Sequence, residues 1–225
     1  MSNKYSENYT DDGYVMNYKK GPKNNPYKNC ILQFKIELPE ILPAIWRKIL
    51  VPSDYNFWDL HVAIQDSMGW LDYHLHYFEF NAQGKGKEER IGIPDFEKSG
   101  ELPEIFPGWE IPVVKYFNVL GLSALYLYDL TDSWWHNVQL EGYLYREKKA
   151  KYPICVDGEG SCPPEDCGGA SGYYEILKTL SNPKDKGYKD MKMWVGKNWN
   201  SERFDKYQIE FMDPKKRWKK AFLEK

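Results

Sequence analysis

The chain has 225 residues, with 31 basic and 33 acidic side chains, and its length suits one large domain or two small ones. The nearly balanced charge argues against a surface that binds nucleic acid all over, but it allows a local basic patch. No apolar run approaches the roughly 18 residues of a membrane span. The first residues also lack the apolar core of a signal peptide. We therefore expect a cytosolic protein with reduced cysteines and no membrane partner.

The first part of the chain predicts a polar arm followed by two strands. Residues 1–28 are rich in Gly, Pro and Asn without a clear period, and we expect a flexible arm. From Cys30, the segment ILQFKIEL alternates apolar and polar side chains, which indicates a strand with one wet face. After two prolines, AIWRKILVP alternates again. The short connection between the two strands favours an antiparallel pair.

A helix and a further extended segment are expected next. Asn56 can cap a helix whose apolar side chains recur at positions 57, 60, 64 and 68, and Gly69 suits its end. The following segment, WLDYHLHYFEF, returns to alternation. If it is extended, His74 and His76 lie on one face. Residues 81–110 are charged or rich in proline, and they predict a hairpin tip and irregular surface structure.

A second strand pair is predicted around residues 131–133. Residues 122–130 form a strong strand candidate, and DSWWHNVQLEGYLY alternates after them, so a hairpin turn at Thr131–Ser133 is the natural interpretation. The segment YPICVDGEGSCPPEDCGGASG then combines three of the four cysteines with two adjacent prolines and five glycines. Because neither proline nor glycine suits a regular element, we expect an ordered loop there.

Helices dominate the last part of the predicted chain. Ser171 can cap a helix, the sequence predicts a second helix over 185–195, and Lys206 to Met212 predicts a final strand. Residues 213–225 are expected to form a solvated basic tail that contains KKRWKK. Strands followed by helices indicate an α+β fold. The predicted architecture is a single domain over 29–212, with a mostly antiparallel, curved, roll-like sheet and two to four helices.

The cysteine-rich segment 152–172 is a candidate metal site. Cys155, Cys162 and Cys167 stand seven and five residues apart, and a histidine could complete a tetrahedral zinc site. However, the segment has no C-x-x-C pair. Small buried thiols in a rigid loop are the favoured interpretation, so no cofactor is expected and zinc remains the alternative.

An Asp and His set is the candidate catalytic group. Asp129, Asp132 and His136 lie at and after the predicted hairpin turn, and His76 or His74 can join them from the neighbouring segment. A carboxylate that orients an imidazole is the minimum for general acid–base chemistry or for supporting a metal. The alternative is a buried histidine whose hydrogen bonds are satisfied by an aspartate.

Other polar and aromatic residues are candidates for binding. Glu165 and Asp166 precede a glycine turn that could cradle an anion, but two carboxylates oppose a phosphate, so hydrogen bonds within the loop are favoured. Arg47 could bind a carboxylate or phosphate, or pair with an acidic group of the chain, which is favoured. The aromatic content of 16% suggests a cleft, with these candidates to line it: Trp46, Trp70, Trp134 and Trp135.

Four segments resemble the plasmid pRiA4b ORF-3-like family. They are LPAIWRKILVP, MGW followed by HLHYFEF, LYLYDLTDSWWHNVQLE, and YPICVDGEGSCPPEDCGGASGYYEIL, and the resemblance runs from Cys30 to about Met212. PPEDCGG with the upstream YD-x-x-D-x-W-x-H is the specific part. Thr131 stands where the family usually has glycine, so the turn must differ or accept a Cβ atom. The resemblance implies an α+β, roll-like fold and a mobile-element context, but little about activity.

Three functions stay open at this point. The first is a binding or interaction module for a protein or small molecule, with an aromatic-lined cleft. The second is an enzyme, such as a metal-assisted hydrolase that uses the Asp and His set. The third is nucleic-acid binding through the basic tail. The first is favoured. Ser133 is a poor nucleophile candidate because no elbow motif surrounds it.

Overall fold

A single eight-stranded sheet forms the framework of the protein. The computed structural model describes residues 27–81, 88–94 and 105–224. The strands are β1 (Cys30–Leu38), β2 (Ile45–Pro52), β3 (His76–Asn81), β4 (Glu88–Gly92), β5 (Ile105–Pro107), β6 (Ser123–Tyr128), β7 (Trp134–Tyr145) and β8 (Ile154–Glu159). Their order in the sheet is β5-β4-β3-β6-β7-β1-β2-β8. All neighbouring pairs are antiparallel except β4 and β5.

Four helices complete the described part of the chain and confirm the predicted α+β class. They are α1 (Phe57–Met68), α2 (Gly169–Ser181), α3 (Tyr188–Trp194) and α4 (Pro214–Phe222). The sheet is open rather than closed into a barrel, and the described residues form one domain. Within the described ranges, no helix combines the length and the apolar character needed to cross a membrane.

Helix α1 is the central helix, and its ends are those that the sequence predicts. The Asn56 side chain accepts a hydrogen bond from the Asp59 N–H at 2.8 Å, and the Asp59 carboxylate accepts one from the Asn56 N–H, which together form a capping box. Gly69 ends the helix at φ 84°. Every residue of α1 except Asp66 is buried, so polar side chains on this helix must find partners inside the protein.

The hairpin between β6 and β7 turns where the sequence predicts it. Two non-glycine residues of this turn take left-handed backbone conformations, Asp129 at φ 58° and Ser133 at φ 56°. Thr131 is not among the residues with positive φ. A side chain is therefore tolerated at the position where the family usually has glycine.

Several local predictions are wrong because tertiary contacts override the sequence pattern. The strand after α1 begins only at His76, since Asp72 adopts φ 64° and interrupts the extended chain. Helix α2 begins at Gly169, two residues before the predicted cap at Ser171. Its N-cap residue is Gly168, and no side chain caps this end of the helix. The predicted final strand is a single 3-10 turn at Lys206–Gln208.

The C-terminal segment is folded, contrary to the predicted solvated tail. Residues 214–222 form α4, which is capped by Asp213 and packs on α1. Trp218 is only 4% exposed and lies in a hydrophobic cluster with Trp58, Val62 and Trp109. The sequence pattern did not predict this packing, because a single buried tryptophan among four exposed lysines has the composition of a solvated polar segment. Of the predicted N-terminal arm, residues 1–26 lie outside the described ranges.

Candidate functional site

The connection between α1 and β3 carries polar side chains that point alternately inward and outward. Asp72 contacts α1, where its Oδ1 lies 2.8 Å from Nε2 of His61. His74 lies in the other direction, with its side chain 30% exposed. His76 returns to the interior and is 2% exposed. The connection therefore contributes to two separate polar groups, one at the surface and one buried.

The surface group brings together three residues that the sequence singles out. Nε2 of His74 lies 2.8 Å from Oδ1 of Asp166 and 3.6 Å from Oδ2 of Asp129. One ligand atom from each of the three residues lies within 4.8 Å of the others. We call this set the surface triad. Its members come from three distant segments, and Asp166 is 65% exposed at its side chain.

The backbone fixes the carboxylate of Asp129 in the surface triad. Its Oδ1 accepts hydrogen bonds from the N–H groups of Thr131 (2.8 Å) and Asp132 (3.2 Å), as in an Asx turn. The other oxygen is thereby left facing His74. Asp166, like Asp129, has a left-handed backbone, with φ 57°. Asp and Asn tolerate this conformation better than most residues, which suits a loop that must aim a carboxylate.

Of the predicted ordered loop, Ile154–Glu159 instead form β8, and we call residues 160–168, between β8 and α2, the cysteine loop. This loop closes over the β6–β7 hairpin through hydrogen bonds. The Glu165 carboxylate accepts from the Leu71 N–H at 2.6 Å and from the Tyr128 hydroxyl. Asp132 accepts from the Gly168 N–H at 2.9 Å. A Cβ atom at Gly169 would lie 2.5 Å from the carbonyl oxygen of Asp132, so only glycine allows this approach. Glu165 and Asp132 thus hold the loop in place.

The buried group joins α1, β6, the connection before β3 and the first residue of β3. Nδ1 of His61 lies 2.8 Å from the Tyr126 hydroxyl, which also accepts from Nε2 of Gln65 at 2.9 Å. The imidazole rings of His61 and His76 stack, with centroids 3.4 Å apart and planes 7° apart. One ligand atom each from His61, Asp72 and His76 lies within 4.8 Å of the others. We call these three residues the buried triad.

His136 does not contact Asp132, contrary to the predicted catalytic pair. Its Nδ1–H donates to the carbonyl oxygens of Trp134 (3.0 Å) and Tyr126 (3.3 Å), and the Trp70 ring meets it edge to face at 5.3 Å. Burial lowers the pKa of His136 to about 4. Burial and the nearby His61 also lower the pKa of His76 well below its usual value. The predicted catalytic set of Asp129, Asp132, His136 and His76 is therefore dispersed over separate environments.

The three candidate cysteines do not form a ligand group in the structure. Neither group of ligand atoms found among the described residues includes Cys155, Cys162 or Cys167. Burial raises the pKa of all three thiols, that of Cys167 to about 12. The thiolate is the nucleophilic form of cysteine, so the raised pKa values disfavour a role for these thiols as nucleophiles.

Arg47 binds backbone carbonyls rather than a carboxylate, so its predicted acidic partner is wrong. Its guanidinium donates to the carbonyl oxygens of Ser67, Trp46, Glu159 and Gly160 at 2.8–3.0 Å. The guanidinium also lies over the Phe204 ring, 4.2 Å from its centroid. Arg47 is 3% exposed and joins the end of α1, strand β2 and the start of the cysteine loop. Its role is therefore structural.

The predicted aromatic cleft is wrong for its two most buried members. Trp70 and Trp134 are 4% and 2% exposed and pack against each other in the core. The Trp70 indole donates to the Pro163 carbonyl at 2.8 Å, which ties it to the cysteine loop. Trp46 hydrogen-bonds Glu159 on β8, and Trp135 packs against Tyr77. A groove of about 730 Å³ elsewhere on the molecule has Phe80 and Tyr116 in its lining.

Sequence reasoning missed His61, Gln65 and Asp72. The sequence does contain a pattern that predicts buried polar partners on this helix. His61 and Gln65 are four residues apart, so they share one face of a largely apolar helix. A polar pair on a buried helix needs buried partners, which Tyr126 and Asp72 supply. Arg217, which lies 3.6 Å from Asp72 and 2.6 Å from Asp66, could not be assigned because it lies in the segment taken for a tail.

The fold and site define an open, mostly antiparallel α+β domain in which a surface and a buried His/Asp cluster share one connection. The chain belongs to the plasmid pRiA4b ORF-3-like protein family, whose model matches residues 30–208. It is 28% identical to the uncharacterised protein y4hQ of Sinorhizobium fredii (strain NBRC 101917 / NGR234), over 74% of this chain and 81% of that protein.

A solved structure shares the fold. The crystal structure of MM3350, a protein of unknown function from Methanosarcina mazei Go1, matches with a TM-score of 0.72 and 37% sequence identity. The match covers 81% of this chain and 98% of that one. The relatives thus support the family and the fold, and they are themselves of unknown function.

Proposed function

We propose that the protein is a binding module. Its binding site would contain a divalent metal ion held by the surface triad. The observation that carries this proposal is the meeting of His74, Asp129 and Asp166 from three distant segments, with ligand atoms within 4.8 Å of one another. One imidazole and two carboxylates suit a first-row divalent ion such as Zn²⁺ or Mn²⁺.

The distances support this proposal. Metal–nitrogen and metal–oxygen bonds of about 2.0–2.2 Å place neighbouring ligand atoms roughly 3.0–3.5 Å apart. The separations from His74 to Asp166 and Asp129, 2.8 and 3.6 Å, lie close to that range. The side chains of His74 and Asp166 are partly exposed, so a bound ion would keep positions open for water or for an oxygen donor of a ligand.

Metal-assisted hydrolysis has less support than binding. A hydrolase needs a base near the metal-bound water. The two other carboxylates beside the triad, Glu165 and Asp132, already accept hydrogen bonds from the Leu71 and Gly168 N–H groups. Nucleic-acid binding by the basic segment also has less support, because Trp218 is buried and cannot stack on a base.

The test is equilibrium dialysis of protein purified without chelator or nickel, against Zn²⁺ and Mn²⁺. We expect Asp166→Asn to lower the affinity of one site by more than about tenfold, since even the loss of a residue that only supports a ligand has an effect of that size. Asp190→Asn makes the same charge change on exposed helix α3 and serves as the matched control. Unchanged binding by Asp166→Asn, or no binding by the unmodified protein, would refute the proposal.

A further inference from the structure

We propose that the buried triad of His61, Asp72 and His76 is a second metal-binding site, enclosed between α1 and β3. Two imidazoles and one carboxylate are a ligand set that proteins use for Zn²⁺ and for non-haem Fe²⁺. The three ligand atoms lie within 4.8 Å of one another, and no residue is shared with the surface triad. The two histidines are 0% and 2% exposed, so a bound ion would be shielded from solvent on most sides.

An unpartnered nitrogen provides an independent observation for this site. Nδ1 of His76 is buried and has no hydrogen-bond partner among the described residues. A buried polar atom left without a partner costs about 1–3 kcal/mol, so such atoms are uncommon in stable cores. A metal ion between this imidazole and Asp72 would give the nitrogen a partner. Because this nitrogen makes no hydrogen bond to the described residues, it is available to coordinate a metal ion.

The hydrogen bonds behind His61 can support either a proton or a metal ion on Nε2. As oriented, Gln65 donates to the Tyr126 oxygen, Tyr126 donates to Nδ1 of His61, and Nε2–H of His61 donates to Asp72. Turning the Gln65 amide by half a turn reverses this chain. Tyr126 then donates to Oε1 of Gln65, which otherwise lacks a partner among the described residues, and it accepts from His61.

The reversed chain leaves a lone pair of His61 facing the Asp72 carboxylate. A lone pair opposite a carboxylate is repulsive unless a cation lies between them. A metal-ligating histidine commonly donates its other N–H to an oxygen acceptor, which the Tyr126 hydroxyl would provide. The supporting residues therefore match what a metal-bound His61 requires.

Binding requires one ring to leave the stack. The rings of His61 and His76 are nearly parallel, so their in-plane lone pairs cannot both point at one ion. Rotation of His76 is the smaller change, because its Nδ1 has no hydrogen bond to lose among the described residues. Asp72 is held meanwhile by Arg217, 3.6 Å from its Oδ2.

The test uses Co²⁺, whose visible absorption reports its coordination, on protein that carries Asp166→Asn to remove the surface triad. We expect this variant to bind one equivalent and the double variant Asp166→Asn/Asp72→Asn to bind none. Asn suits the left-handed backbone of residue 72, so the double variant should fold, and circular dichroism checks this. Asp166→Asn/Asp190→Asn is the matched control and should bind like Asp166→Asn.

A second measurement does not depend on the double variant. Adding Zn²⁺ to the Asp166→Asn protein should shift the ring ¹⁵N resonances of His61 and His76 and leave that of His136 in place. No Co²⁺ bound by Asp166→Asn, binding that persists in a folded double variant, or unmoved His61 and His76 resonances would each overturn the buried site. The number of ions bound separates this result from a failure of the surface triad. If the surface triad binds no metal, Asp166→Asn will bind the same number of ions as the unmodified protein.

Discussion

At the scale of single residues, burial decides what the histidines can do. His136 is fully buried, and its imidazole is neutral in the folded protein because burial lowers its pKa to about 4. Its one assigned proton, on Nδ1, is used in hydrogen bonds to two backbone carbonyls. A buried histidine with these hydrogen bonds is part of the core, and it is poorly placed to exchange protons with a substrate.

His136 predicts a pH dependence of stability. Between pH 6.5 and 4 the unfolded chain binds a proton at this residue and the folded protein does not, so its contribution to stability is lost as the pH falls. We expect this residue alone to account for about 2 kcal/mol of the loss between pH 7 and pH 5. Urea unfolding of His136→Asn, which cannot titrate, should show a smaller loss by that amount.

If His136→Asn and the unmodified protein lose the same free energy of unfolding between the two pH values, His136 must bind protons equally in both states. The comparison is made within each protein between two pH values. The constant effect of the substitution on packing therefore cancels.

At the scale of elements, one guanidinium connects pieces that the sheet alone would leave apart. Arg47 lies on β2, yet it binds Ser67 at the end of α1 and the Glu159 and Gly160 carbonyls where β8 enters the cysteine loop. A planar group with five N–H donors can satisfy several fixed carbonyls at once, which a lysine cannot. Removal of the guanidinium leaves buried acceptors without donors.

We therefore expect Arg47→Met to lower the free energy of unfolding by at least about 3 kcal/mol, since each buried acceptor left unpaired costs about 1–3 kcal/mol. Lys48→Met is the matched control on the same strand. Lys48 pairs with Glu141 while 28% exposed, and loss of such a pair costs less than about 1 kcal/mol. Equal effects of the two substitutions in chemical denaturation would show that the carbonyl contacts of Arg47 contribute little.

At the scale of the whole molecule, α4 belongs to the folded domain. Its Trp218 packs with Trp58 and Trp109, and the Trp58 indole donates to the Pro214 carbonyl at 3.0 Å. Arg217 pairs with Asp66 on α1 and approaches Asp72, so α4 also closes the buried triad. The C-terminal segment therefore contributes both apolar and charged contacts to the interior.

Trp218→Ala tests whether α4 stabilises the domain. We expect a loss of about 3–5 kcal/mol in the free energy of unfolding, the usual cost of truncating a buried tryptophan. Lys219→Ala, on the exposed side of the same helix, should change stability by less than about 0.5 kcal/mol. A solvated tail would instead make the two substitutions indistinguishable in thermal and chemical unfolding.

The sequence by itself determined the elements with strong local signals. The capping box and apolar spacing of α1, the alternation in β1 and β2, and the turn after Tyr128 follow from contacts between residues close in the chain. It also singled out His74, Asp129 and Asp166, because polar residues at turns and in an unusual loop stand out against apolar strands.

Only the tertiary structure decided how these residues combine. Partnerships such as Asp166 with His74 and Asp72 with Arg217 join residues 92 and 145 positions apart, and no local pattern encodes such a pairing. Long-range contacts also decide the environment of Arg47 and α4. From their charge, the sequence predicted an acidic partner for Arg47 and exposure to solvent for the segment that forms α4. Their true environment is set by the carbonyls and aromatic rings that the fold brings to them, and those exist as neighbours only after the chain has folded.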